Sequence, residues 1–325
     1  MIALVTGGNG FVGRYIVEML LARGDRVRVV GRKPYPELEA LGAQCIQVDL
    51  SNPDAGVGLG RAMAGVEVVF HVAAKADIWG AFDDFYRNNV TATQRVVRAA
   101  VRAGVPKLVY TSSPSVAIGM QDLEGADEAT PYPEHFLAHY PHTKSLAERF
   151  ILARSDIATT AIRPHLIWGP RDPHIFPRLI ARARKGRLVR IGDGTNRVDI
   201  TYVENVAEAH IRAADALGQT SPLRGRAYFI GQEQPVNLWE FIDRVITSAG
   251  CAPLRRQISA TTAMRLATLL ELAYTRLGIN REPPLTRMMV HQMSCSHWFD
   301  HRAAQRDFGY GPRITIEEGL RRTIG

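Results

Sequence analysis

Cysteine is scarce in this chain. Only Cys45, Cys251 and Cys295 occur. The number is odd and no two stand at metal-ligand spacing, so neither a disulfide framework nor a metal site is expected. Long apolar runs are missing as well: none reaches the roughly 18–20 residues of a spanning helix. Glycines interrupt the N-terminal segment from Gly7, before any basic region is followed by a signal-type apolar core. A cytoplasmic protein is the expectation. No internal repeat or low-complexity segment is present. The net charge is +8, from 40 Lys and Arg against 32 Asp and Glu, yet no aromatic-studded platform or finger spacing accompanies it, and nucleic acid is not expected as a partner. The local cluster Arg178, Arg182, Arg184, Lys185, Arg187 and Arg190 reads as a solvated helix and loop. An anionic cofactor or substrate also suits the surplus.

What is present is an ordinary globular composition, 46% hydrophobic and 22% charged over 325 residues, enough for about two domains. The first half alternates between two periods. "IALVT", "RVRVVG", "AQCIQVDL", "VEVVFHVAA", "KLVYTSS" and "IATTAIRP" read as buried strands. "FVGRYIVEMLLARG", "DFYRNNVTATQRVVRAAVRAG" and "YPHTKSLAERFILARS" read as helices. Strands apolar throughout, separated by helices, imply an α/β fold: a doubly wound parallel sheet covered on both faces. After Pro164 the pattern changes. Residues 1–164 and about 201–231 are assigned to a dinucleotide-binding domain, and about 165–200 and 232–325 to a smaller, mainly helical substrate lobe.

Gly8-Asn9-Gly10-Phe11-Val12-Gly13 fits G-x-G-x-x-G, and Gly7, Gly10 and Gly13 fit a second spacing, G-x-x-G-x-x-G. A strand precedes the match and a helix follows it, the context that makes a Rossmann-type phosphate turn. The early glycines permit the tight turn. Gly10 lets a pyrophosphate approach, and Gly13 lets the helix pack closely. The helix start at Phe11 and Val12 offers N–H groups to phosphate. At the end of the second strand stands "VVGRKP", with Arg32 where a carboxylate would accept from ribose hydroxyls. A guanidinium suits a 2′-phosphate, which favours NADP(H) over NAD(H); the other reading has Arg32 stacked on adenine with NAD(H). Asp49, beside Leu50, either accepts from the adenine amino group or caps the helix after Pro53.

"YPHTK" sets Tyr140 and Lys144 four residues apart, on one face of a helix. A neighbouring ammonium favours phenolate, so the tyrosine is expected to titrate nearer neutrality and to act as general acid or base. Ser113, closing the strand in "VYTSS", can hydrogen-bond the reacting oxygen. His71 reads as a satisfied core residue, and His165, His291 and His297 form no ligand spacing.

With "TGGNGFVG", "VDL" (48–50), "HVAA" (71–74), "NNVTATQ" (88–94), "YTSS" (110–113), "YPHTK" (140–144), "RP" (163–164) and "TYVENVAEAH" (201–210), the chain resembles the extended short-chain dehydrogenase/reductases over nearly its whole length. The resemblance implies that Ser113, Tyr140 and Lys144 are catalytic and that Lys144 also holds the nicotinamide ribose. It places the cofactor against Gly7, Gly10, Phe11, Val12, Gly13, Asp49, Leu50, Ala73, Ala74 and Pro164, with Asn89 beneath the site. It also implies a homodimer. Through "HLIWGPRD", "PRLIARARKG" and "FGYGPRITIEEGL" the chain is similar to the 3β-hydroxysteroid and sterol-4-carboxylate 3-dehydrogenase branch. "AAKADIWGAFDDFY" and "PPLTRMMVHQMSCSHWFD" bring it closest to bacterial 2-alkyl-3-oxoalkanoate reductases. Both activities move a hydride at the carbon β to a carboxylate on a large apolar molecule, which is the expected chemistry. Steroid enzymes often carry an acid after the second strand; Arg32 departs from that.

Lys75, just past the fourth strand, is the candidate partner of the substrate carboxylate. Met288, Met289 and Met293 are candidates for an adaptable acyl surface or for plain lobe core. The 261–279 helix is read as core packing, with a membrane surface or a partner enzyme as further readings. Other functions kept open are a nucleotide-sugar epimerase or dehydratase and a non-catalytic NADP-binding sensor.

Overall fold

The computed structural model describes residues 1–173 and 175–324. Its main sheet has seven strands: β1 (Ile2–Thr6), β2 (Arg26–Gly31), β3 (Gln44–Gln47), β4 (Val68–His71), β5 (Lys107–Thr111), β6 (Ala158–Pro164) and β7 (Arg226–Ile230). All are parallel, in the order β3-β2-β1-β4-β5-β6-β7. The order reverses between β1 and β4, and the crevice outside their carboxyl ends is where such sheets bind ligands.

The principal helices are α1 (Phe11–Ala22), α2 (Ala55–Met63), α3 (Ala92–Arg102), α4 (His139–Leu152), α5 (Ile175–Arg184), α6 (Val203–Ala216), α7 (Leu238–Ser248), α8 (Ala260–Arg276) and α9 (Arg287–Ser294). Ile16, Val17, Leu20, Val206 and Ala213 of α1 and α6 cover one face of the sheet. Leu59, Val96, Val97 and Ile151 of α2, α3 and α4 cover the other. Burial on both faces is why the central strands are apolar at successive positions. A third core, around Trp168, Tyr202, Trp239 and Phe241, fills the lobe.

Two features depart from the expected organisation. The lobe contains a four-stranded mixed sheet of Val236–Asn237, Arg197–Val198, His297–Phe299 and Leu123–Ala126. Its last strand comes from the loop after β5, inside the segment assigned to the dinucleotide domain. Conversely Ala304, Phe308 and Tyr310, assigned to the lobe, pack into the main-sheet core beside Tyr228. Pieces this short carry no periodicity that distinguishes them from loop.

Candidate active site

The glycine turn leaves β1 directly. Gly7 has φ +68°, and a Cβ there would lie 2.9 Å from the Ala73 backbone nitrogen. Gly10 N–H donates to the Gly7 carbonyl at 2.8 Å. A Cβ on Gly13 would stand 2.2 Å from that same carbonyl oxygen, so the helix packs on the turn itself. No side chain caps α1, and no acid stands in its first turn. The donors at its start therefore face the crevice with the positive end of the helix dipole, a cradle that fits a pyrophosphate.

Arg32 is exposed at the end of β2, its carbonyl accepting from Gln47 Nε2 at 3.0 Å. Asp49 accepts from the N–H and hydroxyl of Ser51 at 2.9 and 2.7 Å, and these bonds, with Arg32 nearby, hold its carboxyl below the usual range. Asp49 closes this local turn; the residue preceding α2 is Asp54. Leu50 is buried and its carbonyl accepts from Arg95. Ala73 lies against Gly7 and Pro164 ends β6.

Tyr140 stands in the first turn of α4, half-buried. Its polar neighbour is the Ser113 hydroxyl, whose hydrogen bond favours phenolate, but burial outweighs it and the phenol is pushed up. Ser113 also meets Ser115 Oγ at 2.9 Å. Lys144 is buried; its ammonium donates to the Thr111 carbonyl at 2.6 Å and lies 4.1 Å over the Tyr110 ring. Desolvation lowers its pKa to about 7, against the pull of Glu148 one turn on. The expectation of an ammonium drawing the tyrosine towards neutrality is thus not met in the protein alone. The ammonium is engaged by the Thr111 carbonyl, and its own burial disfavours the charge.

Asn89 does sit beneath. Its Oδ1 accepts from Lys75 N–H at 2.7 Å, and its Nδ2 donates to the Lys75 carbonyl and to Thr143 Oγ1, each at 3.0 Å. It lies in a π-helical turn, Tyr86–Thr91, inside the run expected to be regular helix; such turns often mark functional sites. A buried chain continues from it. Thr93 donates to the Asn89 carbonyl at 2.6 Å and meets His71 Nε2 at 2.8 Å, while His71 Nδ1 meets Thr6 Oγ1 at 2.7 Å. The strand that feeds the glycine turn is thereby tied to the helix that carries Tyr140. Burial lowers the His71 pKa to about 3 and keeps it neutral.

Lys75 is not a ready cation. Its ammonium lies 2.5 Å from Asp77 and 3.1 Å from Asp84, and Arg87 also binds Asp84. Two cations against two carboxylates leave no surplus charge for a substrate. Sequence reasoning missed Glu148, Arg163 and Tyr132. Arg163 grips Glu148 through Nε and Nη2 at 3.0 and 2.6 Å, and Tyr132 donates to it at 2.6 Å. The spacing 140, 144, 148 on one helical face was the available signal.

An apolar cavity of about 820 Å³ opens against the lobe core. Ile78 and Leu166, from the loops that follow β4 and β6, line it together with Trp168, Phe241, Leu285 and Met293. Leu166 has φ +37°, held by the Thr201 N–H on its carbonyl at 3.3 Å. Such strain persists where surroundings enforce it, commonly at ligand sites.

Residues 4–259 match the 3-beta hydroxysteroid dehydrogenase/isomerase family. The chain belongs to that family. It is 44% identical over 324 residues to a 2-alkyl-3-oxoalkanoate reductase of Stenotrophomonas maltophilia (strain K279a), covering 98% of this chain and 97% of the relative. It is 37% identical to the mouse sterol-4-alpha-carboxylate 3-dehydrogenase, decarboxylating, covering 98% of this chain and 89% of the relative. Among solved structures it is similar to gox2253, with TM-score 0.80 and 28% identity over 99% of this chain and 96% of that one. MoeE5, solved in complex with UDP-glucose and NAD, matches with TM-score 0.73 and 28% identity over 100% of this chain and 97% of that one. This member of the 3-beta hydroxysteroid dehydrogenase/isomerase family is a nicotinamide-dinucleotide-dependent oxidoreductase.

Proposed function

We propose that the protein reduces the 3-oxo group of a long-chain 2-alkyl-3-oxoalkanoate to the 3-hydroxy acid, with NADP(H). The observation that carries this is the apolar cavity, which Ile78 and Leu166 reach from the loops after β4 and β6 and which is lined largely by Leu, Ile, Phe, Trp and Met side chains, a lining suited to hydrocarbon. The relative named for this reaction is the more similar of the two enzymes compared.

The dinucleotide, when bound, supplies the hydride. Tyr140 hydrogen-bonds the ketone oxygen and gives it a proton as negative charge develops, with Ser113 holding the same oxygen. A phenol kept protonated by burial suits an acid acting in the reductive direction. Lys144, positioned by Thr111, holds ribose hydroxyls. Arg32 meets the 2′-phosphate, and Phe11 and Val12 present their N–H groups to the pyrophosphate. An assay of nicotinamide absorbance with a 2-alkyl-3-hydroxyalkanoate, a 3β-hydroxysteroid and a UDP-sugar tests the substrate. Turnover of the alkylated acid is expected. Turnover of only the steroid supports the sterol reading, and turnover of only the sugar overturns both. For the cofactor, Arg32→Glu is expected to raise the KM for NADPH on the order of tenfold or more, from loss of a charge-assisted contact and added repulsion, and to leave that for NADH little changed. An equal effect on both removes Arg32 from 2′-phosphate recognition.

A further inference from the structure

The described residues include nine exposed large hydrophobic side chains, and five of them, Leu266, Leu269, Leu272, Leu277 and Ile279, fall on α8 and the turn after it. The inner side of α8 is formed by Ala263, Ala267 and Glu271, the last paired with Arg287 of α9. The leucines occupy the other side, Leu269 64% and Leu277 72% exposed. Exposed arginines interleave with them: Arg265 beside Leu266, Arg276 beside Leu277, and Arg281 beyond. The nearby acids are engaged, Glu271 by Arg287 and Glu282 by Arg178 at 3.4 Å.

The same surface adjoins the cavity. Leu266 and Arg281 line it together with Arg178, Arg182, Lys185 and Arg187. The loop after β4 reaches it too: Ile78 lines the cavity, and Trp79 Nε1 donates to the Ile279 carbonyl at 3.4 Å. An exposed apolar ridge, a basic rim and an apolar cavity are therefore continuous.

We propose that this face docks on a lipid bilayer with anionic headgroups, with α8 lying in the interfacial plane. Alternating leucine and arginine fits a surface whose phosphates meet guanidinium while leucines enter the acyl boundary. A second copy would instead bring the same arginines against these, an unfavourable like-charge juxtaposition. Delivery of a fatty substrate from bilayer to cavity rests on the reading given above; docking itself does not, and its test needs no substrate.

Flotation with phosphatidylcholine vesicles, with and without phosphatidylglycerol, provides that test on the full chain. Binding is expected only with phosphatidylglycerol and should weaken at high salt. The double variant Leu269→Glu/Leu272→Glu replaces exposed side chains that do not line the cavity. It is expected to lower binding on the order of tenfold or more, with thermal unfolding unchanged. Absence of wild-type binding overturns the proposal, as does binding that the variant leaves intact. A wild-type assembly that the variant disperses, without vesicle binding, assigns the face to a second copy and likewise overturns it.

Discussion

At the residue scale, Tyr140, Ser113 and Lys144 were legible because their spacing and their strand-end and helical settings are local. Their energetics were not. A four-residue spacing implies that an ammonium acts on a phenol. In the fold Lys144 instead donates to the Thr111 carbonyl and burial lowers its pKa to about 7, while burial raises the phenol. Desolvation wins over a charge–charge effect because both groups share a low-dielectric site. Lys75 shows the same gap: the sequence marks its place at the strand end, but not that Asp77 and Asp84 take up its charge. Asn89 makes three of the hydrogen bonds that shape this region. Asn89→Ala would leave the Lys75 N–H and carbonyl to find new partners, at about 1–3 kcal/mol for each group left buried and unsatisfied, while the Thr143 hydroxyl keeps its bond to the His139 carbonyl. Calorimetry should record a lower Tm, and kcat should fall by more than stability alone accounts for, since Thr143 adjoins Lys144. A normal kcat in a folded variant would reduce Asn89 to a structural role.

At the scale of elements, the strand–turn–helix around Gly7–Gly13 was readable down to individual glycines. The π turn at Tyr86–Thr91 was not, since its apolar spacing continues that of the flanking helix, and the bonds of its Asn89 go to the Lys75 backbone in another segment. Nor were the two-residue strands of the lobe, which tertiary pairing creates. Gly13→Ala separates two effects. Alanine favours a helix interior by about 1 kcal/mol, but here its Cβ would meet the Gly7 carbonyl at 2.2 Å, a clash with backbone that costs about 3 kcal/mol. The account predicts net destabilisation in chemical denaturation and a raised Kd for dinucleotide by fluorescence. A stabilised variant would show that α1 does not pack on the turn as described.

At the scale of the whole molecule, four histidines are buried where they are kept neutral: His71 with its pKa lowered to about 3, His210 and His297 to about 4, and His165 well below the ordinary range. Each binds a proton in the unfolded chain from about pH 6.5 downward but not in the folded one. Stability is therefore full above that pH and falls as pH drops towards the folded values, by up to about 1.4 kcal/mol per unit for each independent histidine. His165 and His297, 2.7 Å apart, titrate as a pair. Thermal scans should show a steep decline in Tm below pH 6; a Tm unchanged down to pH 4.5 would contradict the burial of these rings. The claim on which the function rests is proton transfer between the Tyr140 phenol and the reacting oxygen. The most direct measurement is the kcat of Tyr140→Phe for a 2-alkyl-3-hydroxyalkanoate with NADP⁺, beside the dinucleotide Kd of the same variant. The account predicts a loss of about 10²–10⁴-fold in kcat with the Kd unchanged; turnover equal to that of the wild type would contradict it.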